Sequence, residues 1–437
     1  MLCALRSPSP TLPIAMHLLR RGFLQLGALA SVLLVTQTLG CAPSHGSEHP
    51  PLRILILGGT GFLGPKTVEV ALARGHHVTI FNRGKREKYL PFNFEGVEHL
   101  YGNRDPKLPA DDAKGPDGAL LHPDASPKGL EQLEGKAWDV VIDNSGYYPR
   151  HVGASAELLA RSCKQYIYIS SISAYADNSV VDANEDAKLA ELADPTVETM
   201  GEGYVNYGGL KVLCERAAQA AFPGRCAVVR PGYIVGPGDP TDRFTYWPVR
   251  IARGGDVVAP GKPEDPLQWI DVRDLADFLV TLAEHGTSGV FNACGPSKPG
   301  RFGDVIDACA KRAKQPCTVS WIPADFLEKE GLGGEDGAFP IWNAPAGAYA
   351  GSHTWSNDRA EAAGLRFRPL AETIDGILEW WPKEVERRRT VTAQLAEEAK
   401  KNGQPPPRAQ DPEAWRAGPQ PPTEAEILAK WKAAGAK

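Results

Sequence analysis

The chain has 437 residues, 42% of them hydrophobic, and a formal charge of −5. That length can bury a large core and suggests two or three domains, while the acidic balance argues against nucleic acid as a general partner. The eight cysteines are too sparse for a disulfide scaffold and include no Cys-x-x-Cys pair, so no metal site is expected and most should be small buried hydrophobes.

Residues 20–27 read Arg-Arg-Gly-Phe-Leu-Gln-Leu-Gly and lead into an apolar run from Ala28 to Val35. This looks like a twin-arginine export signal, because the run is shorter than the roughly 20 residues of a bilayer-spanning helix and follows two positive charges. Met16 is then the expected start of translation. Residues 1–40 hold three arginines and no acid, so their removal takes the formal charge from −5 to −8. Leu39-Gly40-Cys41 resembles a bacterial lipoprotein processing site, from which Thr38 departs, and a lipid anchor at Cys41 stays open. Ala42 to Pro51 suits a tether. The expected location is periplasmic or lipid-anchored to a bacterial membrane.

From Leu52 the pattern becomes Arg-Ile-Leu-Ile-Leu, a buried parallel strand, and runs into Gly58-Gly59-Thr60-Gly61-Phe62-Leu63-Gly64. A helix over Pro65 to Arg74 follows, Gly75 stops it, and Val78 to Phe81 forms the next strand. A glycine turn between strand and helix is the setting in which backbone amides and the helix dipole hold a pyrophosphate, so residues 58–64 are expected to bind a dinucleotide. Asn82-Arg83 ends the second strand where an acid would read a ribose 2′-hydroxyl. Arg83, with Lys85 and Arg86 nearby, favours NADP, and NAD stays open.

Arg104 to Gly135, rich in Pro, Asp, Gly and Ala, reads as a long surface excursion. Trp138 to Asp143 is a further strand, Val152 to Cys163 a helix, and Gln165 to Ile169 a strand ending in Ser170-Ser171-Ile172-Ser173. Strand-end hydroxyls face the ligand in an open α/β sheet. Tyr207-Gly208-Gly209-Leu210-Lys211 opens an apolar-periodic helix 36 residues after Ser171. Residues four apart share a helix face, so the Lys211 ammonium can approach the Tyr207 phenol and favour its phenolate. Gly208 and Gly209 weaken such a helix by about 1 kcal/mol each.

These motifs, with Arg230-Pro231-Gly232-Tyr233 through Gly236-Pro237 and Gln268-Trp269-Ile270-Asp271, resemble the extended short-chain dehydrogenase/reductases of the epimerase/dehydratase type over residues 52–382. The resemblance implies an α/β, Rossmann-type doubly wound parallel sheet with a smaller C-terminal substrate-binding part. It implies Tyr207 as acid/base with Lys211, and Ser171 as the hydroxyl that orients the substrate oxygen, with Ser173 as the alternative. Tyr207 and Lys211 are also expected at the cofactor. Asp143-Asn144-Ser145-Gly146 departs from the family's His-x-Ala-Ala, leaving Asp143 and Ser145 to face the cofactor or cap a helix. Ile172-Ser173 replaces the Asp-Glu pair of many dehydratases and disfavours dehydration.

Beyond the Arg-Pro strand, Arg243 is a candidate for a substrate phosphate or carboxylate. Arg250 is a weaker one, and Tyr246 or Trp247 could stack on a sugar. Pro382 is expected to end the helix of Trp380 and Trp381, leaving a charged, proline-punctuated tail with a mobile linker and a terminal helix from Thr423. The expected organisation is signal and tether over 1–50, mainly dinucleotide-binding over 51–236, mainly substrate-binding with interleaved Rossmann elements over 237–382, and a helical tail over 383–437. The expected activity is NAD(P)-dependent epimerisation or a related redox step at a hydroxyl or carbonyl carbon of a small sugar or sugar-nucleotide-like substrate. The alternatives are an NADPH-dependent carbonyl reductase and a non-catalytic nucleotide-binding scaffold. Export without a cofactor pool would favour a retained cofactor. A homodimer stays open.

Overall fold

The computed structural model describes residues 49–84, 95–107, 129–332, 338–405 and 411–435. The export motif, Cys41, Lys85 and Arg86 lie outside the described residues. Among those described, no helix is long and apolar enough to cross a membrane.

The strands in chain order begin with β1 (Arg53–Leu57), β2 (His77–Asn82), β3 (Glu98–Tyr101), β4 (Trp138–Asp143), β5 (Cys163–Ile169) and β6 (Cys226–Pro231). They continue with β7 (Ile234–Val235), β8 (Gly255–Pro260), β9 (Pro266–Leu267), β10 (Ile270–Asp271), β11 (Gly289–Ala293), β12 (Gly300–Arg301) and β13 (Cys317–Ile322). Seven form one parallel sheet in the order β11-β6-β5-β4-β1-β2-β3. Ile54 to Leu57 are fully buried, as an unbroken apolar run in a sheet covered on both faces must be. The strand order reverses between β1 and β4, which opens a crevice at their carboxyl ends. The expected doubly wound Rossmann-type sheet is therefore present.

Helix α1 (Leu63–Ala73) follows the glycine turn and ends where Gly75, at φ +81°, donates its N–H to Leu72 O. Helix α2 (Pro149–Leu159) starts three residues before the expected Val152, because Pro149 supplies a preset first turn. Helix α3 (Tyr207–Ala221) lies over the sheet, and α5 (Val272–His285) packs beside α1. The remaining helices are α4 (Tyr246–Ala252), α6 (Phe302–Ala310), the short α7 (Ala324–Lys329) and α8 (Asp358–Ala362), α9 (Leu370–Lys401) and α10 (Pro421–Ala433). A second apolar cluster joins α4, α6, α9 and α10 with β8 and β13 around Phe244, Trp247, Phe302 and Trp342.

Three expectations change. Pro382 lies inside α9, which runs on to Lys401. Ile374, Ile377, Trp381 and Val385 recur at helical spacing and bury one face in the second cluster, and this packing outweighs the lost backbone hydrogen bond. The described tail is docked: Trp415, Ile427 and Leu428 are buried in the same cluster. Finally, residues 102–105 are buried where a surface excursion was expected to begin. Arg104 forks onto Asp143, which is fully buried, and both carboxylate oxygens are engaged. Tyr166 Oη (2.7 Å) and Ser145 N (3.0 Å) also donate to Asp143. Asp143 thus neither faces the cofactor crevice nor caps a helix.

The Arg104 guanidinium is the main influence that outweighs burial and holds the Asp143 carboxyl below its usual range. Arg104→Ala strands a buried carboxylate and is expected to cost about 3–5 kcal/mol in urea denaturation at pH 7. Because the native pKa is depressed, this contribution is present above the unfolded value of about 4 and is lost as pH falls below it. The wild-type advantage should shrink over that acid range.

Candidate functional site

The glycine turn is built by close packing. Gly58 adopts φ +89°, a region that favours glycine. A Cβ on Gly59 would lie 2.6 Å from Ile80 of β2, and one on Gly64 would lie 2.5 Å from the Gly59 backbone. Gly61 differs, for a Cβ there would meet nothing within 4 Å. Its backbone borders open space at the start of α1, where a phosphate would be held by amides and the helix dipole.

Two cavities meet at this point, of about 550 Å³ and 390 Å³, and both are lined by Gly58, Gly61, Asn144 and Tyr147. The smaller one extends past Thr60 to Asn82 and Arg83, with Arg104 and His151 on its wall. The larger one takes in Phe62, Leu63 and Gly64, then Ser171, Ser173, Tyr207, Lys211 and Arg243. Within residues 58–64 only Gly59 lines neither, because it turns toward Ile80. Both polar atoms of the Asn144 side chain are buried and unpartnered among the described residues. A continuous crevice, an open glycine backbone and an amide left wanting partners fit a dinucleotide laid across the ends of β1 and β4.

Tyr207, Lys211 and Glu215 recur every fourth residue of α3. Glu215 is buried and bonded to Arg230 of β6 (Nε to Oε1 2.9 Å), and Ser170 Oγ donates to it, which fixes the helix on the sheet. The two glycines after Tyr207 are steric requirements. A Cβ on Gly208 would sit 2.1 Å from Ser173 O, and one on Gly209 would sit 2.6 Å from Leu192. They bring α3 against the short turn Ile172–Ala174, which Ser171 caps by accepting from Ser173 N at 3.1 Å. Ser171 and Tyr207 thereby come together.

Burial pushes the Tyr207 phenol up to about 12, against the lowering influence of the Ser171 side chain and the Arg243 charge. Lys211 was expected to supply that charge. Its ammonium instead donates to Ile169 O (2.6 Å) and Gly146 O (3.0 Å) and lies 4.5 Å from the Tyr168 ring centroid. The Ile169 carbonyl at the end of β5 and the Gly146 carbonyl in the segment after β4 take the buried cation first. Burial also lowers the Lys211 pKa to about 8.

On the far wall, the loop after β7 carries Asp239, Thr241 and Arg243. Arg243 Nε donates to Thr241 Oγ1 (3.1 Å), and its guanidinium lies 5.1 Å from the Tyr233 ring centroid. Asp242 of this loop points away, with φ +59°, a conformation costly for a residue with a Cβ. The tail holds it there: Arg388 Nη2 donates to both Asp242 oxygens (2.7 and 2.9 Å), and Arg416 N donates to Oδ2 (2.9 Å). Arg250 is a correction to the expected set, since it is spent on Glu424, Gly254 O and Asp256 O. Tyr246 and Trp247 are fully buried in the second cluster and cannot stack on a ligand.

The sequence reading missed Asn144, Asp239 and the wall formed by Asn343, Tyr349 and Ser352. Asn144 stands directly after β4 and Asp239 directly after the Gly236-Pro237-Gly238 turn, so position alone could have flagged both. Nothing local marks residues 343–352.

Residues 137–294 match the NAD dependent epimerase/dehydratase family. The chain is 28% identical over 337 residues to the chloroplast stem-loop binding protein of 41 kDa b of Arabidopsis thaliana, covering 74% of this chain and 77% of that protein. Among solved structures it is similar to an epimerase from Methanothermobacter thermautotrophicus, with TM-score 0.53, 15% identity, and 78% and 95% of the two chains covered. It is also similar to the UDP-glucuronic acid 4-epimerase of Bacillus cereus in complex with NAD, with TM-score 0.51, 14% identity, and 75% and 96% covered. At these identities the structures show the fold alone.

The two kinds of glycine should separate on substitution. Gly64→Ala forces backbone atoms apart and is expected to lower the melting temperature. Gly61→Val should leave melting unchanged while reducing binding of an added nicotinamide dinucleotide at least tenfold, read by calorimetry.

Proposed function

We propose that the chain is a nicotinamide-dependent epimerase or related oxidoreductase acting at a hydroxyl-bearing carbon of a sugar or sugar nucleotide. The observation that carries this reading is the pairing of Tyr207 with Ser171 on the wall of a cavity continuous with the glycine-turn crevice. The family match over 137–294 supports it, as does the NAD named for the Bacillus cereus epimerase.

A bound nicotinamide supplies the hydride acceptor and, once reduced, the donor. Residues 58–64 would hold its pyrophosphate, Asn82 and Arg83 its adenosine end, and Asn144, Tyr207 and Lys211 its nicotinamide half. Ser171 orients the substrate oxygen by hydrogen bonding. Tyr207 gives a proton to that oxygen or takes one from it. With its phenol near 12, Tyr207 is protonated across the neutral range, so the donating direction is its resting competence. Taking a proton becomes easier as pH rises, and the Arg243 charge favours the ionised form.

A second reading has one observation behind it, the stem-loop binding named for the Arabidopsis relative. As a nucleotide-binding scaffold the protein would turn nothing over. The formal charge of −5 opposes an RNA-binding role. A third, an NADPH-dependent carbonyl reductase, would consume NADPH continuously.

Tyr207→Phe separates these readings. It is expected to reduce interconversion of nucleotide-sugar epimers by about 10²–10⁴-fold, read by chromatography, with dinucleotide affinity retained. Unchanged turnover would remove the assignment, and sustained oxidation of added NADPH would favour the reductase. We further propose a preference for NADP through Arg83, which is exposed on the wall of the smaller cavity. Arg83→Ala should weaken NADP at least tenfold and NAD less than twofold in calorimetric titration.

A further inference from the structure

Asp239 is 1% exposed, yet it lines the larger cavity. Its Oδ1 accepts from Thr241 N (2.8 Å) and Thr241 Oγ1 (2.6 Å). Its Oδ2 is buried and has no partner among the described residues. Burial raises its pKa, and the Thr241 hydrogen bonds and the Arg243 charge only partly offset this. A buried carboxylate oxygen without a donor is unfavourable, and the described residues offer none to relieve it. Asp239, Arg243 and Tyr207 all line this one cavity, so the carboxyl group borders the same pocket as the phenol. Asn178, Asn343 and Ser352, all neutral and polar, line the same cavity.

We propose that Asp239 Oδ2 is a specificity position that accepts a hydrogen bond from a ring hydroxyl of a polyhydroxylated substrate while the reacting carbon lies at Tyr207. It rests on the sugar reading above and adds the group that distinguishes a sugar ring from an apolar carbonyl compound. The donor missing from the protein is the substrate hydroxyl. Thr241 holds the carboxylate by two hydrogen bonds and is itself bonded by Arg243 Nε, and the Asp242 contacts with Arg388 and Arg416 fix the loop from outside.

Asp239→Asn is the discriminating variant, because its Oδ1 can still accept from Thr241 while its Oδ2 acceptor becomes an amide donor. The probes are UDP-glucose and the analogues in which each ring hydroxyl in turn is replaced by fluorine, which accepts weakly and donates nothing. Dissociation constants are measured by calorimetry on the cofactor-loaded protein, with melting curves as the folding control. In the wild type, one fluorine position should weaken binding about tenfold or more, and in Asp239→Asn that penalty should fall below about threefold. Asp239→Ala should weaken UDP-glucose itself and abolish the difference between analogues. Equal penalties in the wild type and Asp239→Asn, or no UDP-glucose binding by the wild type, would overturn the proposal. Epimer formation that depends on Tyr207 but ignores Asp239 would leave the functional reading standing without this position. Hydroxyl discrimination through Asp239 without any epimer formation would do the reverse.

Discussion

Two of the close approaches that exclude a side chain in this fold frame the candidate site. At the end of β1, Gly64 packs on Gly59 and Gly59 on Ile80, which sets the angle at which α1 leaves the sheet. At the start of α3, Gly208 packs on the carbonyl of Ser173. The first contact leaves the amides around Gly61 bordering open space, and the second puts Tyr207 beside Ser171. The cavity between them inherits its shape from these contacts. The roughly 1 kcal/mol that a glycine costs a helix relative to alanine is offset here by an approach that alanine would forbid.

Charge placement then follows from burial. Arg104 with Asp143 and Arg230 with Glu215 are buried ion pairs that tie the segment after β3 to β4 and β6 to α3, on either side of the crevice. Lys211 is buried too, but its ammonium donates to carbonyls rather than to a carboxylate. The loop after β7 is fixed through Asp242 by Arg388 and Arg416, which come from the C-terminal segment. The docked tail is thereby part of what shapes the pocket.

Much of the sheet was legible because its signals are local. The Arg53–Leu57 run, the glycine turn and Gly75 each act over a few residues, and so does the four-residue spacing of Tyr207 and Lys211. The misses have partners far away in sequence. Arg104 meets Asp143 39 residues later, and in the loop-like composition around it nothing announces a buried cation. Arg250 is claimed by Glu424, 174 residues away. Pro382 breaks a helix in isolation, yet Trp381 and Val385 bury their face and carry α9 through it. Tyr246 and Trp247 sit in a motif mixing aromatic and charged residues that suggests a binding surface, whereas residues from several later segments cover both rings. Lys211 lay on the expected face, but its direction was decided by the carbonyls of residues 146 and 169.

The central claim is that the crevice between β1 and β4 is shaped for a nicotinamide dinucleotide. Its most direct test is to denature the purified, folded protein and identify by mass spectrometry whatever nucleotide it releases, with calorimetric titration of NADP and NAD on the stripped protein. The account predicts a retained nicotinamide dinucleotide, or saturable binding of one at a single site per chain. A folded protein that carries none and binds neither would contradict it.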